Sequence, residues 1–93
     1  MTYSLKFKQD ALKEWGNLDG SLRQQFKNKL EQRLVNPRVP ASRLSGQQDR
    51  YKIKLRKVGY RLVYEVRDTE LVVVVIAIGK RERNAVYEIA AKR

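Results

Sequence analysis

The chain has 93 residues, with 21 Lys and Arg against 10 Asp and Glu and a net charge of +11. It is one basic domain, residues 1–93, with room for one modest core, and its charge favours nucleic acid or an anionic surface as partner. It has no cysteine and no histidine, which excludes disulfides, a thiol nucleophile, an imidazole base and the commonest metal ligands. The carboxylates are scattered singly, so neither a metal nor a cofactor is expected. No apolar run is long enough to span a bilayer and the first residues carry no signal-peptide pattern, so a cytoplasmic protein without a membrane partner is expected.

In chain order, Tyr3 to Phe7 alternates and predicts a first strand with Tyr3, Leu5 and Phe7 toward the core. A helix follows over about Gln9 to Asn17, with Ala11, Leu12, Trp15 and Leu18 at helical spacing and Trp15 as a core anchor. Asp19-Gly20 breaks it. Ser21, three residues before Gln24, is expected to cap a second helix. Leu22, Phe26, Leu30 and Leu34 form its buried stripe. Lys27, Lys29 and Arg33 lie off that stripe, on a face that is either solvated or in contact with phosphate. Asn36-Pro37 ends the helix. Pro37 to Asp49 reads as a loop carrying Arg38 and Arg43; such a loop holds binding residues or is bare surface.

The next stretch organises the chain. Tyr51, Ile53 and Leu55 alternate with Lys52, Lys54 and Arg56; after a short loop at Lys57-Val58, Tyr60, Leu62, Tyr64 and Val66 alternate with Arg61, Val63, Glu65 and Arg67. This is a hairpin with one buried face. Its register sets Leu55 opposite Tyr60, Ile53 opposite Leu62, Tyr51 opposite Tyr64 and Lys54 opposite Arg61, with Lys52 one pair further on. Adjacent cations repel, and a bound polyanion would relieve them. Leu71 to Arg81 is apolar on both sides and predicts a central strand. Its two rows are Val74, Ile76, Ile78 and Val73, Val75, Ala77, Gly79, Arg81. A three-residue turn near Asp68-Thr69 would place Arg61 on the second row and leave a concave space at Ala77 and Gly79; the other turn parity would send Arg81 to the helix side. Asn84 is expected to cap a last helix, Ala85 to Lys92, with Tyr87 in its first turn.

These residues carry a resemblance. Tyr51 to Arg56, Gly59 to Tyr64, Gly79 to Arg83 with Tyr87, Ala11 to Trp15 and Asn36-Pro37-Arg38 are similar to the RelE toxins of bacterial toxin–antitoxin modules, over essentially the whole chain. The resemblance implies an α+β fold, an antiparallel sheet of about four strands with helices packed on one side, like small microbial ribonucleases. It implies a toxin that cuts messenger RNA in the ribosomal A site by 2′-hydroxyl attack, depends on the ribosome, and is held inactive by a RelB-like antitoxin, through which the complex would reach operator DNA. Residue by residue, Lys52 and Lys54 match the active-site lysines, Arg61 the arginine on the scissile phosphate, Arg81 the arginine near the leaving 5′-oxygen, and Tyr87 the tyrosine that orients the nucleotide. Arg43, Arg56 and Arg83 are rim cations expected to hold RNA phosphates. One departure is visible: the family's Lys-Leu-Arg-Gly is here Arg43-Leu44-Ser45-Gly46, with serine in place of the arginine.

The chemistry stands beside the resemblance. Cleavage by the 2′-hydroxyl needs a base, cations for the phosphorane and a donor for the leaving oxygen. An ordinary lysine, with a pKa near 10.4, is a poor base, and arginine a poorer acid. This set of residues should be strong in electrostatic stabilisation and weak in proton transfer, and so should depend on an ordered substrate. Two other classes stay open: a ParE-like toxin that poisons DNA gyrase, and a non-catalytic basic RNA-binding module.

Overall fold

The structure is a computed structural model, and it describes residues 2–80, 82 and 85–93. Its elements are β1 (Ser4–Phe7), α1 (Gln9–Gly16), α2 (Gly20–Val35), a short 3-10 turn (Pro40–Ser42), β2 (Arg50–Leu55), β3 (Tyr60–Arg67), β4 (Val72–Lys80) and α3 (Ala85–Lys92). The expected α+β fold with four strands is present, in the order β1-β4-β3-β2. The sheet is mixed, because β1 runs parallel to β4 while the other pairs are antiparallel. Returning from β1 through two helices and the hairpin brings the chain back to β1's side in the same direction, which a tight turn could not do.

One face of the sheet buries Tyr51, Ile53, Leu62, Tyr64, Val73, Val75 and Ile78 against Ala11, Leu18, Leu22, Phe26 and Leu30 of the first two helices and their connection, with Leu5 half-buried beside them. Phe7 and Trp15 meet at 5.2 Å between ring centroids at the rim of this core. The opposite face is also covered: Val63, Val72, Val74, Ile76 and Ala77 pack with Leu44 from the loop and with Val86 and Ala90 of α3. Helices therefore lie on both sides of the sheet. The near-continuous apolar composition of β4 reflects this double burial.

Two local expectations are corrected, the cap of the second helix and the length of the β3–β4 turn. The second helix starts at Gly20 and is capped by Asp19, whose carboxylate accepts from the Leu22 amide at 2.9 Å, rather than by Ser21. The charged oxygen is the stronger acceptor for the first-turn amides. The loop before the hairpin is tied down by the 3-10 turn and by a bridge between Arg43 and Tyr51. The β3–β4 turn has four residues, with Arg67 paired to Val72 and Leu71 in the left-handed region at φ 53°. An even turn alone would have set Arg61 opposite Ile78. A bulge supplies the missing residue: Tyr64 pairs with Val75, Val63 with Ala77, and Ile76 is the extra one. Arg61 is thus returned to Gly79. The bulge also splits the expected rows of β4, since Ile76 and Ala77 both join the α3 side while Val75 and Ile78 face the other helices.

The bulge lies where β1 has ended, its last pair being Phe7 with Val75. The exposed β4 edge beyond it is satisfied by side chains. Glu14 of α1 accepts from the Ile78 amide at 3.1 Å, and Arg93 donates to the Ile76 carbonyl at 2.9 Å. Glu14 and Arg93 also pair with each other at 2.9 and 3.2 Å, and Asp10 lies 3.8 Å from the Arg93 guanidinium. This clasp holds the C-terminal end of α3 to the sheet edge.

Candidate functional site

The hairpin register matches the expected one pair for pair: Leu55 with Tyr60, Lys54 with Arg61, Ile53 with Leu62, Lys52 with Val63 and Tyr51 with Tyr64. The loop from Arg56 to Gly59 closes with the Gly59 amide on the Leu55 carbonyl at 2.9 Å, and Gly59 takes φ 68°, where a side chain would be strained. Alternation then puts Lys52, Lys54 and Arg61 on the face that carries α3.

Tyr87 of α3 comes down onto these cations. Its ring centroid is 5.1 Å from the Arg61 guanidinium carbon and 5.8 Å from Lys52 Nζ, distances at which the ring face attracts a cation. The close approach of α3 depends on Gly79: a Cβ there would stand 3.0 Å from Val86 Cγ2. The concave space expected at Ala77 and Gly79 is therefore filled in part by α3. An open cleft of about 270 Å³ lies instead at the hairpin end, lined by Lys54, Leu55, Arg56, Gly59, Tyr60 and Arg61.

The Tyr87 hydroxyl is buried and has no hydrogen-bond partner among the described residues. Burial raises its pKa above the usual 10.0, and the Arg61 guanidinium, by its charge and by its approach toward the hydroxyl short of a well-formed hydrogen bond, only partly offsets this. Tyr87 is therefore a neutral phenol at physiological pH. It is equipped to donate a hydrogen bond and unsuited to act as a base.

Of the residues singled out in the sequence, the fold brings together Lys52, Lys54, Arg61 and Tyr87, with Arg56 on the wall of the same cleft. Arg43, bridged to Tyr51, lines a separate hollow formed by Arg43 to Gln48. Arg81, Arg83 and the Asn84 cap lie outside the described residues. Among the described residues no group of three or more acidic side chains could hold a metal ion, and no helix is long and apolar enough to cross a membrane.

Sequence reasoning missed the residues that seat Tyr87. Gln47 donates to the Tyr87 carbonyl at 3.1 Å. Arg50 donates to the Ala90 carbonyl and, at 3.3 Å, to Gln47 Oε1. Glu65 holds Arg50 at 3.1 Å and Arg67 at 2.6 Å. Burial would raise the Glu65 pKa, but hydrogen bonds from Arg67 and Arg50 outweigh it and bring it below the ordinary value. Arg50 opposite Glu65 is a cross-strand ion pair, the one pattern here that could have been found from sequence. Gln47 bonds a carbonyl, which leaves no sequence signature.

Comparisons with known proteins agree with this geometry. Residues 5–85 match the family model described as the ParE toxin of type II toxin–antitoxin system, parDE. The mRNA interferase toxin RelE of Escherichia coli K12 is 54% identical over 93 residues, covering 100% of this chain and 98% of that protein. A mutant of the E. coli toxin RelE solved in the free state superposes with a TM-score of 0.92 at 52% identity, covering 100% of this chain and 98% of that one. The same toxin in complex with an antitoxin RelBc peptide gives 0.85 at 52%, with the same coverage. A family match along most of the chain and full-length identity above one half lead to one assignment: the chain belongs to the RelE/ParE superfamily of type II toxin–antitoxin toxins, as a RelE toxin.

Proposed function

We propose that this chain is an endoribonuclease toxin, an mRNA interferase that cuts messenger RNA in the ribosomal A site and is neutralised by a RelB-like antitoxin. The observation that carries the reading is the Tyr87 ring lying over Lys52 and Arg61, with Lys54 across from Arg61 on the same sheet face. An aromatic face beside converging cations suits one nucleotide, with the base against the ring and the phosphate on the cations. The relatives' names support the same activity, and the solved RelE–RelBc complex supports the antitoxin partner.

In this reading Lys52 and Lys54 flank the 2′-hydroxyl. As the 2′-oxygen attacks phosphorus, its proton passes, directly or through water, to a lysine in its neutral amine form; the bond to the 5′-oxygen breaks, leaving a 2′,3′-cyclic phosphate, and the 5′-oxygen takes a proton from a lysine ammonium or water to leave as a hydroxyl. Arg61 balances the charge on the non-bridging oxygens, where it grows most in the transition state. Tyr87 orients the nucleotide through its ring, and its hydroxyl, buried in the free protein, donates to an RNA oxygen once binding uncovers it. Arg81 stands near the leaving oxygen by resemblance to the family, and Arg43, Arg56 and Arg83 hold flanking phosphates. Weak proton transfer makes catalysis depend on positioning, which is why the ribosome is the proposed scaffold. The antitoxin is the proposed link to operator DNA, and the cytoplasm the proposed location.

The test is single-turnover cleavage on programmed ribosomes, with affinity measured separately. Arg61→Ala should slow cleavage by roughly 10²–10³ with affinity little changed, the scale of losing one preorganised charge-stabilising donor. Arg81→Ala should behave alike, and Lys54→Ala should recover part of its loss at raised pH if Lys54 takes the proton. The match to a ParE model keeps one other reading in view. DNA damage in treated cells, with messenger RNA uncut, would establish gyrase poisoning instead.

A further inference from the structure

Arg33 is placed unlike an ordinary surface cation. It reaches from α2 to the outer strand of the sheet, where Nη1 donates to the Tyr64 hydroxyl at 2.8 Å and to the Lys52 carbonyl at 3.4 Å. Nη2 donates to Ser42 Oγ at 3.3 Å, and the guanidinium carbon lies 5.7 Å from the Tyr64 ring centroid. Tyr64 in turn donates to the Pro37 carbonyl at 2.6 Å. Each of these acceptors is neutral, and among the described residues Arg33 makes no ion pair. A cleft of about 280 Å³ opens beside it, lined by Arg33, Ala41, Ser42, Lys52, Lys54 and Arg56: four cations and no carboxylate. A guanidinium held rigid by neutral groups beside three further cations stores repulsion that an anion would relieve.

This cleft shares two walls, Lys54 and Arg56, with the cleft at Arg61. A strand whose reacting phosphate sits by Arg61 can therefore continue across the β2 edge into the second cleft. The Ser42 hydroxyl accepts from Arg33 and keeps its own hydrogen to donate to a phosphate oxygen. We propose that Arg33, Ser42 and Arg56 form a second phosphate site, which grips the RNA backbone beside the reacting nucleotide. The proposal rests on the RNA-binding reading of the Arg61 face, but it concerns binding and not cleavage.

The test is the salt dependence of binding to a short 2′-O-methyl oligoribonucleotide, which cannot be cut because its nucleophile is blocked. One lost phosphate contact lowers the slope of log K against log salt by about 0.7 for a single strand and about 0.9 for a duplex. Arg33→Gln should flatten the slope by that amount, and Arg33→Lys, which keeps the charge, should not. Because Arg33 also braces Tyr64, the unaltered protein is followed as well: its Arg33 Nε–H resonance should shift on addition of the oligonucleotide. The same titration with purified small ribosomal subunits separates the sources. A slope change on the oligonucleotide assigns the phosphate to messenger RNA, and one seen only with subunits assigns it to ribosomal RNA. Unchanged slopes on both, with a stationary Arg33 signal, would overturn the site. A chain that binds in this way yet never cleaves would reject the enzyme reading and leave this one standing.

Discussion

At the scale of single residues, Tyr87 separates folding from function most cleanly. Among the described residues its buried hydroxyl lacks a partner, and an unpartnered buried group costs about 1–3 kcal/mol. Tyr87→Phe keeps the ring over Lys52 and Arg61 and removes that cost. Thermal unfolding should show the variant at least as stable as the parent, while cleavage falls about tenfold or more, the value of one donated hydrogen bond in the transition state. Since burial raises the Tyr87 pKa above 10.0, the parent's pH–rate profile should show no Tyr87 limb below pH 10. A limb in that range that disappears in Tyr87→Phe would contradict the neutral-donor role. Lys52, Lys54 and Arg61 were legible in the sequence because strict alternation in a two-strand hairpin fixes their face. Arg33 was visible only as a cation off an apolar stripe, because its partners are a hydroxyl, a carbonyl and a phenol distant in sequence.

At the scale of elements, the relation of β4 to the hairpin was legible in outcome but not in cause. Arg61 does face Gly79, yet the turn is even and the Ile76 bulge makes the difference. One apolar residue within an apolar run gives no sign that it is the extra one. The close approach at Gly79 makes a sharp prediction. Gly79→Ala would bring a methyl to 3.0 Å from Val86 Cγ2, and overpacking of this kind costs about 1–3 kcal/mol. Val86→Ala removes a buried valine side chain and is destabilising by itself. The double variant should be more stable than the sum of the two losses predicts, because each change makes room for the other. Urea denaturation of all four proteins checks this, and strict additivity would mean that α3 does not press on β4.

For the whole molecule, stability and the site share one network. Glu65 holds Arg50, and Arg50 holds α3. The Glu65 carboxyl has a depressed pKa in the fold, with an ordinary value of 4.5. Its contribution is thus fully present above about pH 4.5 and is lost as pH falls through the lower folded value. Glu65→Gln should cost about 1–2 kcal/mol at pH 7, and in urea melts the gap from the parent should narrow as the pH is taken below 4.5. An equal gap at every pH would show that the charge is immaterial. The helix that Arg50 steadies is gripped in a particular way. Gln47 reaches the Tyr87 carbonyl, Arg50 the Ala90 carbonyl and Lys8 the Arg93 carbonyl, and a carbonyl is common to all twenty amino acids. The outward residues Glu88, Ile89 and Lys92 are exposed and take no part in this grip. Descendants of this chain can therefore rewrite the outer surface of the helix while its backbone stays anchored to the sheet and Tyr87 stays over its cations.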